Sequence, residues 1–167
     1  MASKTAFTAE EWEALRNAPH YVSMAVATAG SSGVTGTLKE AFASAAALVE
    51  GTKSASELVR SICAREEISA GQHALRASLP QLEGSDFAAA KEKLATLALD
   101  AVRQAVEILK KKAPDELAAY RGFVKGLAER VAQAAKEGGF LGFGGERVSA
   151  GEKAILSKID EALGAAA

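Results

Sequence analysis

The sequence predicts an all-α protein, a compact bundle of six or seven helices in a single domain spanning residues 1–167. Three observations predict it. Hydrophobic residues make up 49% of the chain but aromatics only 5%, because alanine, the best helix former, dominates the apolar fraction. Only three prolines interrupt 167 residues, which leaves long helix-compatible stretches. Ser/Thr-x-x-Glu capping boxes recur ahead of runs whose apolar residues return every three or four positions.

Thr8-Ala-Glu-Glu11 is the first box. It opens a helix to about Ala18 with Trp12 and Leu15 on one face, ended by Pro19. A second helix, Pro19 to Ala29, carries Tyr21, Val22, Met24 and Val26 and is apolar almost all round, so it belongs in the interior. The run from Gly30 to Gly36 breaks the pattern. Thr37-Leu-Lys-Glu40 then opens a helix ending near Gly51, read as its C′ glycine. Ser54-Ala-Ser-Glu57 caps a helix bearing Leu58, Val59, Ile62 and Cys63. A less regular segment from Ser69 to Leu79 reads as a short helix, closed by Pro80 and Gly84.

Ser85 opens the longest helix, to about Lys112, a length of about 40 Å. Glu92, Thr96, Asp100, Arg103, Glu107 and Lys110 form one polar stripe, and Leu94, Leu97, Leu99, Val102, Val106, Ile108 and Leu109 cover most of the rest, as a central helix requires. Pro114 stands in the first turn of the next helix, with Asp115 and Glu116 at its positive end. Leu117, Tyr120, Val124, Leu127 and Val131 are its inward face, and it ends at Gly138-Gly139. Ser149-Ala-Gly-Glu152 caps the last helix, which turns Ile155, Leu156, Ile159 and Leu163 inward and stops at Gly164.

Charge is balanced, with 20 basic and 21 acidic residues and a net charge of -1, so no global field favours nucleic acid or an anionic membrane. The one basic block, Lys110 to Lys112, sits at a helix C-terminus, where lysine complements the dipole. A single cysteine excludes an intrachain disulfide, and no apolar run approaches the roughly 20 residues that span a bilayer. With no charged-then-apolar leader at the start, a soluble cytoplasmic protein is expected.

The least helix-like stretch lies between Gly138 and Gly145, with five glycines beside Phe140 and Phe143. Glycine-rich backbone before a helix N-terminus can cradle an anion, but Gly142-Phe-Gly144-Gly145 has neither the Gly-Lys-Ser/Thr ending nor the spacing of a dinucleotide fingerprint. A loop tucking Phe140, Leu141 and Phe143 onto the bundle is the reading favoured here. Elsewhere the chemistry is sparse. His20 and His73 lie in no Glu-x-x-His or His-x-x-x-His pattern. His20 reads as framing a turn beside Pro19, His73 as a helix-surface residue, and Cys63 as a buried inert thiol. The adjacent pairs Glu10-Glu11 and Glu66-Glu67 point to different helix faces. Tyr21, Tyr120 and Phe123 read as core rather than the lining of one ligand cavity. No catalytic residues, metal ligands or cofactor are assigned.

One order of features occurs twice: an apolar helix, a glycine-broken stretch, then a capped alanine-rich helix, at residues 25–48 with Thr37-x-x-Glu40 and at 128–156 with Ser149-x-x-Glu152. A pseudo-two-fold internal repeat would place both stretches at one end of the bundle. The pattern resembles the tellurite-resistance TerB-like helical domains, with Val148-Ser149-Ala150-Gly151-Glu152 matching the end of that family's loop motif and Ala29-Gly30 with Val34-Thr35 matching loosely. The family's loop aspartate is absent, with Ser31 and Ser32 in one place and Gly145 and Glu146 in the other, so its metal role is not carried over.

The resemblance implies a non-enzymatic, stress-related protein that binds a protein partner or self-associates. The candidate surface is Phe140, Leu141, Phe143, Gly144, Gly145, Glu146, Ser149 and Glu152 with Ser31, Ser32 and Glu40. The alternative is a bundle binding a small molecule or metal, even an enzyme, whose carboxylates, such as Glu40 and Glu152, converge only in three dimensions.

Overall fold

The computed structural model describes residues 3–30, 44–78, 87–136 and 149–164. It is an all-α bundle. After a short 3-10 turn at Lys4–Ala6, the helices are α1 (Ala9–Gly30), α2 (44–51), α3 (Glu57–Ile62), α4 (Arg65–Ser78), α5 (Phe87–Lys112), α6 (Pro114–Lys136) and α7 (Ala150–Leu163), with no strand among the described residues. The long helices α1 and α5 lie against each other, α4, α6 and α7 flank α1, and α3 packs on α6 and α4. The core sits between them: Trp12, Leu15, Val22 and Val26 from α1 meet Val102 and Leu109 from α5, Tyr120 and Leu127 from α6, and Ile159 and Leu163 from α7.

The polar stripe of α5 is exposed at every expected position, from Glu92 to Lys110. Thr8 and Glu11 form their box, the Thr8 N–H donating to Glu11 Oε2 at 2.8 Å and the Glu11 N–H to Thr8 Oγ1 at 3.2 Å. Lys112 Nζ donates to the same Glu11 oxygen at 2.6 Å, tying the end of α5 to the start of α1. Lys112 and the Thr8 amide hold the Glu11 carboxyl below its usual value. Gly164 ends α7 as expected, with φ 68° and its N–H donating to the carbonyls of Asp160 and Glu161.

Four expectations are corrected. Pro19 does not end a helix: α1 runs through it to Gly30. Proline removes the N–H that would bond the carbonyl of Leu15, and the buried Tyr120 hydroxyl supplies that bond from α6 at 2.9 Å. The cap of α3 is Ser56, not Ser54. Its Oγ accepts from the Val59 N–H at 3.0 Å while donating to the buried Glu116 carboxylate of α6 at 2.6 Å, a tertiary bond that decides between two nearby serines. Gly51 is helical and has no positive φ; the Cys63 thiol and Phe123 ring press on it where a Cβ would stand. The segment expected from Ser69 is a full helix starting at Arg65, with Glu66 and Glu67 in its first turn. The Thr37-x-x-Glu40 box lies outside the described residues.

Candidate functional site

The start of α7 is built by its capping box. Ser149, at φ -63° and ψ 159°, accepts the Glu152 N–H on Oγ at 3.2 Å, and Glu152 Oε2 accepts the Ser149 N–H at 2.7 Å. Capping boxes usually face water, but this Glu152 is only 3% exposed. The last turn of α1 covers it. Gly30 lies so close that a Cβ there would overlap the Glu152 carboxylate, and a Cβ on Gly151 would stand 2.8 Å from the Ala29 carbonyl oxygen. Two glycines thus let the negative end of α1 meet the positive end of α7 backbone to backbone. From α5, Lys91 Nζ donates to the Ala29 carbonyl at 3.4 Å.

Glu152 Oε1 is buried and has no hydrogen-bond partner among the described residues. Such an oxygen retains its full capacity to accept a donor, and leaving it dry is costly. Of the sequence-derived site, then, Ser149 and Glu152 are brought together. Ser31, Ser32, Glu40, Phe140, Leu141, Phe143, Gly144, Gly145 and Glu146 lie outside the described residues. Their described neighbours in the chain do meet, since Gly30 precedes Ser31 and packs on the helix that Ser149 begins.

A second polar cluster was not assigned from the sequence. Glu67 of α4, buried, accepts from Lys4 at 2.5 Å and from Arg16 at 3.4 Å. Burial opposes its ionisation, but Lys4, Trp12 and Arg16 outweigh that and hold its carboxyl below the usual value. One turn along both helices, the His20 imidazole presses onto Gly71. His20 is buried in the interior of α1 rather than at a turn, and burial together with Arg16 lowers its pKa to about 4. Two spacings carried this signal: Arg16 and His20, and Glu67 and Gly71, each four apart on one helix face.

The remaining candidates resolve as structure. Burial pushes the Cys63 thiol up to about 12, so it is protonated and unreactive at neutral pH. His73 is exposed on α4. Tyr120 is fully buried, whereas Phe123 lines a groove of about 290 Å³ between α6, α2 and α3, and Tyr21 lines another of about 300 Å³ between α1 and α5. Among the described residues, Phe123 and Tyr21 thus line different grooves. Among the described residues, no three His, Cys, Asp or Glu side chains gather to hold a metal ion, and no helix is long and apolar enough to cross a membrane. No family model matches the chain, and neither a curated protein nor a solved structure does.

Proposed function

We propose that this chain is a non-enzymatic binding module of the cytoplasm, stress-related in the manner of TerB-like domains, that acts on a protein partner or a second copy. The observation that carries the reading is the junction of α1 and α7. A buried carboxylate oxygen without a partner among the described residues stands where the segments bearing Ser31 and Ser32, and Phe140 and Phe143, join the bundle. By contrast, Ser56, Glu67, Glu116, Cys63 and Tyr120 are committed to holding helices together. Aromatic side chains that fill a partner's pocket often carry much of the binding energy of an interface. The Phe140→Ser/Phe143→Ser double variant is expected to lose partner retention or loop-mediated assembly in native mass spectrometry of protein from its own cells. Unchanged retention and assembly would count against the site.

The Glu152 oxygen, without a partner among the described residues, also favours a second reading, a small molecule or cation held at the same junction. The same spectra decide it. A retained non-protein mass that disappears in Glu152→Gln supports it, and a bare chain rules against it.

A further inference from the structure

Helix α4 docks with almost no apolar burial of its own. Of its 14 residues only Glu67 and Gly71 are buried, one a charged side chain and the other no side chain at all. Its larger apolar residues, Ile68 and Leu75, are half-buried, whereas the much shorter α3 buries Leu58, Val59 and Ile62. Little apolar area therefore holds α4 in place, and its polar contacts with α1 decide how firmly it is held. These are the Glu67 carboxylate between Lys4 and Arg16, the His20 ring on Gly71, and the Tyr21 and Ser78 hydroxyls at 3.3 Å.

The middle contact is the one that a proton breaks. A Cβ on Gly71 would stand 2.3 Å from both Cδ2 and Nε2 of His20, so this edge of the ring lies directly on the backbone of α4. Arg16, one turn back on α1, is the charge that acts on the ring. Glu67, one turn along α4, is engaged by Lys4 and Arg16, and His73 of the same helix is exposed. Among the described residues no charge on α3, α5, α6 or α7 acts on His20, and none forms a hydrogen bond with it. A proton on the ring therefore places a second positive charge near Arg16, buried and without an acceptor. Water solvates that charge only once Gly71 has moved off.

We propose that α4 is an acid-released arm of the bundle: below neutral pH it leaves α1 as a unit, in an opening smaller than the unfolding of the chain. The contact lies on a different stretch of α1 from the Gly30–Glu152 junction and does not depend on the function proposed for that junction.

Native-state hydrogen exchange of the full chain, read by mass spectrometry as protection factors at pH 7, 6 and 5, tests the proposal. At pH 7 residues 65–78 should be protected, but less than α5 and α6, because they exchange by the smaller opening. With His20 held to about 4 when docked and returned to 6.5 when α4 is off, docking weakens by about twentyfold between pH 7 and pH 5, and protection of 65–78 should fall by that factor. Glu67, held below its ordinary value, stays ionised across this range. His20→Gln, neutral at every pH, should abolish the fall whatever level of protection it leaves at pH 7, and His73→Gln should preserve it. Protection of 65–78 equal to that of α5 and α6 would mean that α4 opens only with the whole chain, and overturns the proposal. So does an α4 without protection at pH 7, a protection that ignores pH, or a fall that survives in His20→Gln.

Discussion

The Tyr120 hydroxyl stands in for the N–H that Pro19 lacks, and the two residues form one unit although Leu15 and Tyr120 are 105 positions apart. Removing the hydroxyl alone leaves the Leu15 carbonyl buried and unpaired, so Tyr120→Phe is expected to cost about 1–3 kcal/mol. Pro19→Ala returns a backbone donor to the same carbonyl. In that background Tyr120→Phe should cost at least about 1 kcal/mol less, a coupling read from four urea titrations as a double-mutant cycle. Equal costs in both backgrounds would mean that Leu15 is satisfied some other way. The proline was plain in the sequence, but whether it ends a helix depends on a donor supplied from α6, and no local pattern carries that. Ser56 repeats the lesson: Ser54 fits the box motif better, and the distant Glu116 decides.

At the scale of elements, two of the rungs that hold α4 to α1 respond to pH, Arg16 with Glu67 and His20 with Gly71, beside the hydrogen bond between the Tyr21 and Ser78 hydroxyls. Both rungs weaken in acid. The folded-state pKa of His20 is depressed to about 4 from 6.5. Its contribution is therefore complete above the unfolded value and is lost as pH falls from about 6.5 to about 4, on the order of 3 kcal/mol in all. Glu67, whose folded pKa is lowered, adds stability present above the ordinary carboxylate value and lost as pH falls through its folded pKa. Urea stability should thus decline from near neutrality downward, with the amides of α4 the first to exchange. His20→Gln should flatten the limb between pH 6.5 and 4.5 while leaving the Glu67 limb below it. An unchanged slope would show that His20 titrates normally. The apolar periodicities, three of the caps and the exposed stripe of α5 were all legible because they depend on spacing within one helix. This docking was not, because its rungs need the register between two helices, and the four-residue spacings Arg16–His20 and Glu67–Gly71 were its only local traces.

Across the whole molecule, one residue type reports what surrounds each helix, because adding a methyl to glycine asks whether space is occupied. Gly151 faces the Ala29 carbonyl, a backbone atom that moves only if α1 and α7 separate. Gly151→Ala is expected to lose about 1–3 kcal/mol to that clash, although alanine is the better helix former by about 1 kcal/mol. Gly30→Ala acts on the same junction through the Glu152 carboxylate, which must leave its place in the capping box, and should cost a similar amount. Gly122→Ala and Gly126→Ala have no described neighbour to displace. Each should gain about 1 kcal/mol. The four variants are a single chemical change at four places; the full helix-propensity gain applies to Gly122 and Gly126 inside α6 and less of it to Gly30 and Gly151 at helix ends, so a loss at the latter pair against a gain at the former reports packing in its larger part. If Gly151→Ala were as stable as Gly122→Ala, the close meeting of α1 and α7 would be wrong, and with it the burial of Glu152 on which the candidate site depends. The sequence marks all four glycines alike. Only the arrangement of helices separates the two that close the bundle at its α1–α7 end from the two on α6 that no described residue covers.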